Sequence, residues 1–188
     1  MASKRFLSAD QLLEDAFTLG ARILGSGYCP DLLVGVWRGG SPVAIAIHEL
    51  LAYHGLSPDH IPVRTQLYSD IDQRDDQVEI TGLDYIAKKP GVFKSLLLVD
   101  DVFDSGATMA ALVSALEAIY ENTGHERPEI RIATPWYKPA RNTTPLEPHY
   151  HLHVTDDWLV FPHELCGLNS AELRVAKPGI ARISKLFR

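Results

Sequence analysis

Three aspartates and a turn of small residues closely follow the apolar run Leu96–Val99. Four apolar residues without alternation are typical of a strand buried on both faces of a parallel sheet. Asp100 and Asp101 would then lie at the carboxyl end of that strand, the edge at which open α/β sheets bind their ligands. The turn Ser105–Thr108 precedes an apolar-periodic helix, so its backbone N–H groups and two hydroxyls form a site for an anion.

A phosphorylated sugar suits this combination of acids and an anion-binding turn. Its phosphate would occupy the turn, while its hydroxyls or a bound Mg²⁺ would contact Asp100 and Asp101. The alternative is an acidic turn that only caps the helix, with Asp104 near the N-cap. Capping needs one acid rather than three, which favours the ligand site.

A second strand, turn and helix carries a cation in place of the acids. Residues 31–37 predict a short buried strand, and an apolar helix with Ser41 as its N-cap follows. Between the two elements lie Arg38, Gly39 and Gly40. Two glycines let backbone amides approach an anion closely, and the arginine adds positive charge. The alternative is an ordinary strand-to-helix turn.

The elements that must position these turns alternate between strands and helices, which indicates an α/β fold. Further strands are expected at 61–68, 78–86 and 129–137. Residues 70–77 hold four aspartates and almost no apolar side chain, so they predict an exposed loop. The histidines at 149, 151 and 153 alternate with period two and predict one solvated strand face rather than a zinc site.

Composition narrows the class of protein. The chain has 188 residues, enough for one domain with a sizeable core, and its net charge of −6 argues against a general nucleic-acid binder. Cys29 and Cys166 lie far apart and form no CxxC motif, which indicates free thiols in a reducing compartment. Because no apolar run has the length of a signal peptide or a membrane span, we expect a cytoplasmic protein that binds no membrane.

The segment Val99–Thr108 resembles the phosphoribosyl pyrophosphate signature of type I phosphoribosyltransferases. That signature is a hydrophobic strand, two aspartates and a Thr- or Ser-Gly-x-Thr turn, and here Ser105 stands where threonine is usual. The chain has neither the Gly-Lys-Ser/Thr of a Walker loop nor a Gly-x-Gly-x-x-Gly fingerprint. The resemblance extends over about Leu32 to Glu164.

The resemblance implies a role for each turn. Phosphoribosyl pyrophosphate would be bound by residues of both turns, namely Arg38, Gly39, Gly40, Asp100, Asp101, Ser105, Gly106, Ala107 and Thr108. Asp100 and Asp101 would hold the ribose hydroxyls or Mg²⁺, directly or through water, and the Arg38 turn would hold the pyrophosphate. Asp104 would be the general base or acid near N7 of a purine. A non-proline cis peptide, frequent in the family, is expected between Trp37 and Arg38.

Other segments resemble the parts of purine enzymes that bind the base and close the site. Lys138, followed by proline, would donate to O6 of a 6-oxopurine; the alternative is a surface lysine. Trp158 would stack on the base and the backbone at Leu159 would meet its polar edge; the alternative for Trp158 is a place in the core. Tyr68 and Ser69 resemble, in reversed order, the pair that begins a flexible catalytic lid; the alternative for Tyr68 is an ordinary strand-end aromatic.

These features predict a single domain over 1–188, with a mainly parallel central sheet flanked by helices. Its core would cover about 28–155, and a small hood would come from the termini at about 1–27 and 156–188. The implied activity transfers the phosphoribosyl group of phosphoribosyl pyrophosphate to N9 of hypoxanthine, guanine or xanthine, and releases pyrophosphate. The enzyme would be a Mg²⁺-dependent homodimer or homotetramer that binds no nucleic acid. The alternatives are a non-catalytic sensor of the same ligands and a phosphoribosyltransferase for another base.

Overall fold

The computed structural model describes residues 4–68 and 77–183, with the backbone alone at 67, 68 and 77. Its strands are β1 (Lys4–Phe6), β2 (Leu32–Trp37), β3 (Asp59–Tyr68), β4 (Gln77–Thr81), β5 (Ser95–Val99), β6 (Val102–Phe103), β7 (Glu129–Ala133), β8 (Trp136–Tyr137), β9 (His153–Val154) and β10 (Trp158–Val160). Its helices are α1 (Ala9–Gly25), α2 (Gly40–Tyr53), α3 (Asp84–Ala87), α4 (Ala107–Thr123), α5 (Ser170–Ala176) and α6 (Pro178–Ile183), with a 3-10 turn at Pro139–Arg141.

The chain divides into two compact units. The larger unit comprises Leu13–Asp156, and the smaller one comprises Met1–Leu12 together with Asp157–Arg188. The core and hood boundaries expected from the sequence stay a prediction.

A five-stranded sheet organises the larger unit, in the order β4-β3-β2-β5-β7. The last four of these strands run parallel, and β4 is antiparallel to β3 at the edge. The central strands β2 and β5 are almost entirely buried, which is why their sequences are continuously apolar. The prediction of a mainly parallel sheet flanked by helices is confirmed.

Side chains alternate between the two faces of this sheet. On one face Leu96 and Leu98 of β5 share a buried cluster with Leu112 and Leu116 of α4. Helix α2 packs on β2 and β5 and buries residues such as Ile47. Because α2 and α4 pack on the sheet, the turns that precede these helices lie at the carboxyl ends of β2 and β5.

The strand predicted over 129–137 is two strands, and the prediction of one is wrong. Strand β7 belongs to the central sheet, whereas β8 pairs with β6 and β9 in a separate three-stranded sheet. Pro135 lies between them and has no N–H for a sheet hydrogen bond. Its carbonyl instead accepts from the N–H groups of Leu152 and His153, at 3.1 and 2.9 Å, and this directs β9 to β8.

Two further predictions of local structure are wrong. The strand expected over 78–86 ends at Thr81, because Gly82 adopts a positive φ of 111° and α3 follows. The three alternating histidines do not share one strand, since β9 has only two residues. His149 instead accepts the N–H of Ile132 at 3.1 Å, and burial lowers its pKa.

The smaller unit contains a two-stranded parallel sheet of β1 and β10, in which Lys4 pairs with Trp158. Its helix α5 begins with a reciprocal capping box between Asn169 and Glu172. The buried ammonium of Lys177 donates to three backbone carbonyls, those of Phe161, Pro162 and Glu164. Lys177 thereby fixes the segment that follows β10.

Within 4–68 and 77–183, no helix has both the length and the apolar character that a membrane span requires.

Candidate functional site

Among the described residues, two cavities of similar size lie in the larger unit, and they differ in the charged groups that line them. A cavity of about 280 Å³ between β2, α2 and β3 is lined by apolar residues, glycine, serine and two histidines, with no acid, lysine or arginine among its described lining residues. The other, of about 340 Å³, is lined by three aspartates, the Ser105–Thr108 turn and Arg141. We therefore assign the functional site to this second cavity, which we call the acidic cavity.

The acidic pair occupies the carboxyl end of β5, as the sequence predicts. Asp100 donates its N–H to Ala133 O at 3.2 Å, and its Oδ1 accepts the N–H of Asp101 at 2.9 Å. The Asp101 side chain is buried. Two carboxylates are thus held side by side at the edge where parallel sheets bind ligands.

The Arg38 turn packs directly against this acidic pair. A Cβ placed on Gly39 would lie 1.9 Å from Oδ2 of Asp101, and one placed on Gly40 would lie 2.3 Å from Val99 O. No residue other than glycine fits at either position without displacing the acids or the strand. Arg38 itself is exposed, and its peptide bond with Trp37 is cis, so that prediction is confirmed.

The start of α2 differs from the prediction. The helix begins at Gly40 with Gly39 as its N-cap, so the assignment of Ser41 as N-cap is wrong. The reason is that the two glycines continue in helical conformation, with φ of −64° at Gly39, and the Ser41 N–H already bonds to Arg38 O at 3.2 Å.

Strand register brings Lys138 to Asp104. Strands β6 and β8 run parallel with Phe103 opposite Tyr137, so the next residues along each strand, Asp104 and Lys138, are neighbours. The Lys138 N–H donates to Phe103 O at 2.9 Å, and its ammonium donates to Oδ2 of Asp104 at 2.9 Å. The Lys138 side chain is 5% exposed, so it is not a surface lysine.

Arg141 supplies a second cation to the same carboxylate, and the sequence analysis missed it. It ends the 3-10 turn that follows Lys138, and its N–H bonds to Lys138 O at 3.0 Å. Residues three apart in such a turn lie on one side, so both cations reach Asp104. Arg141 Nε lies 2.7 Å from Asp104 Oδ1. The signal that could have found it is the lysine-to-arginine spacing of three.

The predicted phosphate turn precedes α4. Gly106 is the N-cap with φ of 80°, and the Ala107 N–H donates to Ser105 Oγ at 3.3 Å. Asp104 does not cap the helix, so the capping alternative is wrong. Thr143, from the loop after Arg141, donates both its N–H and its hydroxyl to Ser105 O, at 3.0 and 3.2 Å.

The donor set at the acidic pair suits a magnesium ion. Burial raises the pKa of the Asp100 carboxyl to about 7, although N–H groups of Asp101 and Gly40 oppose the shift. A cation beside it would offset that burial. Mg²⁺ commonly takes one or two carboxylates from a protein and fills its shell with substrate phosphates and water. No cluster of three or more metal-binding side chains is found in the described parts of the chain.

The remaining predicted residues lie elsewhere. Trp158 and Leu159 belong to β10 in the smaller unit, where Leu159 is buried and Trp158 is 58% exposed, so the core alternative for Trp158 is wrong. Tyr68 ends β3 with only its backbone described, and Ser69 lies outside the described residues together with the acidic segment 70–76. The lid role of Tyr68 and Ser69 stays a prediction.

Comparison with known proteins gives one family and one fold. The model of the phosphoribosyl transferase domain matches residues 4–167, whereas no curated protein matches the chain. A purine phosphoribosyltransferase from Pyrococcus horikoshii Ot3 is similar, with 24% identity over 89% of this chain and 97% of that one, at a TM-score of 0.64. A hypothetical protein from Neisseria gonorrhoeae with bound ppGpp is similar, with 19% identity over 95% of this chain and 98% of that one, at a TM-score of 0.67. The xanthine-guanine-hypoxanthine phosphoribosyltransferase of Helicobacter pylori is similar, with 19% identity over 84% of this chain and 92% of that one, at a TM-score of 0.63. At these identities the likeness to solved structures shows a shared fold.

Proposed function

The chain belongs to the phosphoribosyl transferase domain family, since that model matches residues 4–167 of its 188, and from this membership we propose a purine salvage enzyme. It would transfer the phosphoribosyl group of phosphoribosyl pyrophosphate to N9 of hypoxanthine, guanine or xanthine and release pyrophosphate. The observation that carries this proposal is the pairing of Asp104 with the buried Lys138 beside the acidic cavity. In this proposal Asp104 would transfer the proton and Lys138 would donate to a carbonyl of the base, next to the segment that resembles the sugar-phosphate signature.

The sugar half of the reaction uses the groups that converge on the acidic cavity. Asp100 and Asp101 would bind the ribose hydroxyls and Mg²⁺, and the N–H groups and hydroxyls of Ser105–Thr108 would bind the 5′-phosphate. Mg²⁺, when bound, would neutralise negative charge that builds on the leaving pyrophosphate. The glycine turn lies against the acids, so Arg38 would add its charge to the same leaving group.

The base half uses Asp104 and Lys138. The Lys138 ammonium carries three hydrogens, and one of them is donated to Asp104. Another would be available for O6 of a 6-oxopurine, whereas the amino group of adenine offers it no acceptor. Asp104 would take or give the proton at N7 while N9 forms its bond to the sugar. The stacking role of Trp158 and the base-edge role of the Leu159 backbone stay predictions of the family resemblance.

The activity is tested by incubating the protein with phosphoribosyl pyrophosphate, Mg²⁺ and each of four bases, hypoxanthine, guanine, xanthine and adenine, while pyrophosphate release is followed. We expect release with at least one 6-oxopurine and much slower release with adenine. Release with adenine alone would contradict the proposed base class. Binding of phosphoribosyl pyrophosphate without release from any base would instead indicate the non-catalytic sensor. Omitting Mg²⁺ tests the metal, which we expect to be required.

Base selection by Lys138 is tested with Lys138→Met. We expect the ratio of kcat/KM for the preferred 6-oxopurine to that for adenine to fall about 10- to 100-fold, the size of a lost charged hydrogen bond. Effects on Asp104 cancel in this ratio because Asp104 serves both bases. The matched control is Lys88→Met, since Lys88 also lies 2.9 Å from an aspartate, Asp84, but is exposed. An unchanged ratio in Lys138→Met would remove Lys138 from base selection.

Assembly as a homodimer or homotetramer and a location in the cytoplasm stay predictions of the family resemblance.

A further inference from the structure

Asp104 is held by two cations that differ in how firmly they are fixed. Lys138 is 5% exposed and makes a hydrogen bond of 2.9 Å to Oδ2. The Arg141 side chain is 55% exposed, and its Nε lies 2.7 Å from Oδ1, an atom that accepts no hydrogen bond among the described residues. An ion pair whose guanidinium is largely exposed to solvent contributes little to stability. Arg141 can therefore leave Asp104 readily, whereas Lys138 cannot.

A second binding position for the Arg141 guanidinium lies close by. Arg141 lines the acidic cavity together with Ser105, Gly106 and Thr108, which form the phosphate turn. The loop that follows Arg141 is bonded to that turn through Thr143 and Ser105 O. The guanidinium is consequently tethered within reach of a phosphate in the turn. A planar guanidinium binds phosphate through two parallel hydrogen bonds, a stronger arrangement than its single contact with Asp104.

We propose, on the basis of the proposed function, that Arg141 is a further binding residue for the 5′-phosphate and moves to it from Asp104. In the structure the Arg141 guanidinium lies beside Oδ1 of Asp104 and offsets its charge. When a phosphoribosyl ligand fills the turn, Arg141 pairs with its phosphate and Asp104 keeps Lys138 alone. Oδ1 is then open to the purine nitrogen. Occupation of the phosphate turn thus makes Asp104 available for proton transfer.

The test measures how much Arg141 contributes to each part of the ligand. Wild type, Arg141→Gln and Arg141→Lys are titrated by calorimetry with inosine, guanosine and xanthosine 5′-monophosphates and with the three nucleosides. We expect Arg141→Gln to weaken the binding of the monophosphates about 10- to 100-fold and the binding of the nucleosides by less than about twofold. Arg141→Lys retains the charge without the planar fork, so its loss should be intermediate.

The control is Arg127→Gln, because Arg127 is 53% exposed and pairs with Glu117 and Glu121, yet lies outside the acidic cavity. It should leave every affinity unchanged. Equal losses for monophosphates and nucleosides in Arg141→Gln, or no loss for either, would overturn the role of Arg141 while wild-type binding upholds the proposed function. Wild type that binds neither the monophosphates nor ribose 5-phosphate would overturn both.

Discussion

The two strand–turn–helix units built on β2 and β5 have the same architecture and opposite chemistry. The turn after β2 carries an arginine and two glycines, whereas the turn after β5 carries three acids and a phosphate-type loop. Both lie at the carboxyl edge of one sheet. A ligand with a charged phosphate at each end and hydroxyls between them would explain why one unit presents a cation and the other presents acids.

Glycine also serves the two turns in different ways. Gly40 lies at the start of α2, and a side chain there would collide with the backbone of β5. Gly106 is the N-cap of α4 with φ of 80°, and a Cβ there would lie within 3.0 Å of three side chains, those of Thr144, Asn142 and the buried Phe103. Space is therefore the requirement in the first turn, whereas the second turn requires both space and a left-handed backbone.

The largest expected effect separates the two turns by their role in catalysis. Asp104→Asn should lower kcat about 10²- to 10⁴-fold, because it removes a positioned proton-transfer group, while phosphoribosyl pyrophosphate still binds. Arg38→Gln should mainly raise KM for phosphoribosyl pyrophosphate, about 10- to 100-fold, because it removes a charged contact to the leaving group. Steady-state kinetics with the preferred base measures both.

Asp84→Asn and Arg127→Gln are matched controls, since both side chains are exposed and outside the acidic cavity. Wild-type turnover in Asp104→Asn would exclude Asp104 from the chemistry. Identical kinetic changes in the two active-site variants would mean that the turns do not divide binding from proton transfer.

The next effect distinguishes space from conformation. Gly40→Ala should lower the free energy of unfolding by about 3 kcal/mol, because its Cβ meets backbone atoms that cannot rotate away. Gly106→Ala should cost about 1–2 kcal/mol from the left-handed conformation, and displacing the side chains of Thr144, Asn142 and Phe103 should add to that cost. Urea denaturation followed by circular dichroism gives both values.

Gly124→Ala isolates the conformational part, because Gly124 has φ of 69° and no atom lies within 4 Å of an added Cβ. We expect the loss of stability to decrease in the order Gly40→Ala, Gly106→Ala, Gly124→Ala. A loss at Gly40 no larger than that at Gly124 would contradict close packing between the two turns.

The smallest effect is a pH dependence that only the acidic turn should produce. Burial raises the pKa of Asp100 from 3.8 to about 7, so between these values the folded protein binds more protons than the unfolded chain. Stability should therefore fall as the pH rises through this window. Asp100→Asn should remove that fall, which thermal unfolding in a chelator at pH 4 to 8 would measure.

Asp84→Asn provides a control that should leave the slope between pH 4 and 8 unchanged. The hydrogen bond from Lys88 lowers the pKa of Asp84, so this group stabilises the fold above 3.8 and loses that effect as the pH falls. If stability had the same slope between pH 4 and 8 in Asp100→Asn and in wild type, the burial of Asp100 would not be the cause of the pH dependence.

Sequence patterns predicted the two turns well because their chemistry lies in consecutive residues. Asp100 to Thr108 form one strand end and one turn, so their spacing alone places the acids beside the phosphate loop. The continuous apolar runs of β2 and β5 likewise predict buried parallel strands. These features depend on local conformation, which short segments determine.

The features that the sequence patterns could not predict depend on contacts between residues that are distant in sequence. The break at Pro135 creates β8, and only the pairing of β8 with β6 places Lys138 beside Asp104. Arg141 carries no motif in the sequence, and only the 3-10 turn directs it to the same carboxylate. His149 suggested a solvated face, but its role is to accept a backbone N–H from β7.

The three-stranded sheet has a consequence for how substrate range could be changed. Lys138 is placed by main-chain hydrogen bonds between β6 and β8, and these bonds do not depend on which side chains occupy the strands. The segment after it, from Pro139 to Pro148, connects β8 to the next part of the chain without entering the central sheet. Sequences introduced there would have to keep Arg141 and Thr143, which contact Asp104 and Ser105. With those contacts kept, Asp104, the proposed proton-transfer acid, would stay in place while the rest of the segment changes.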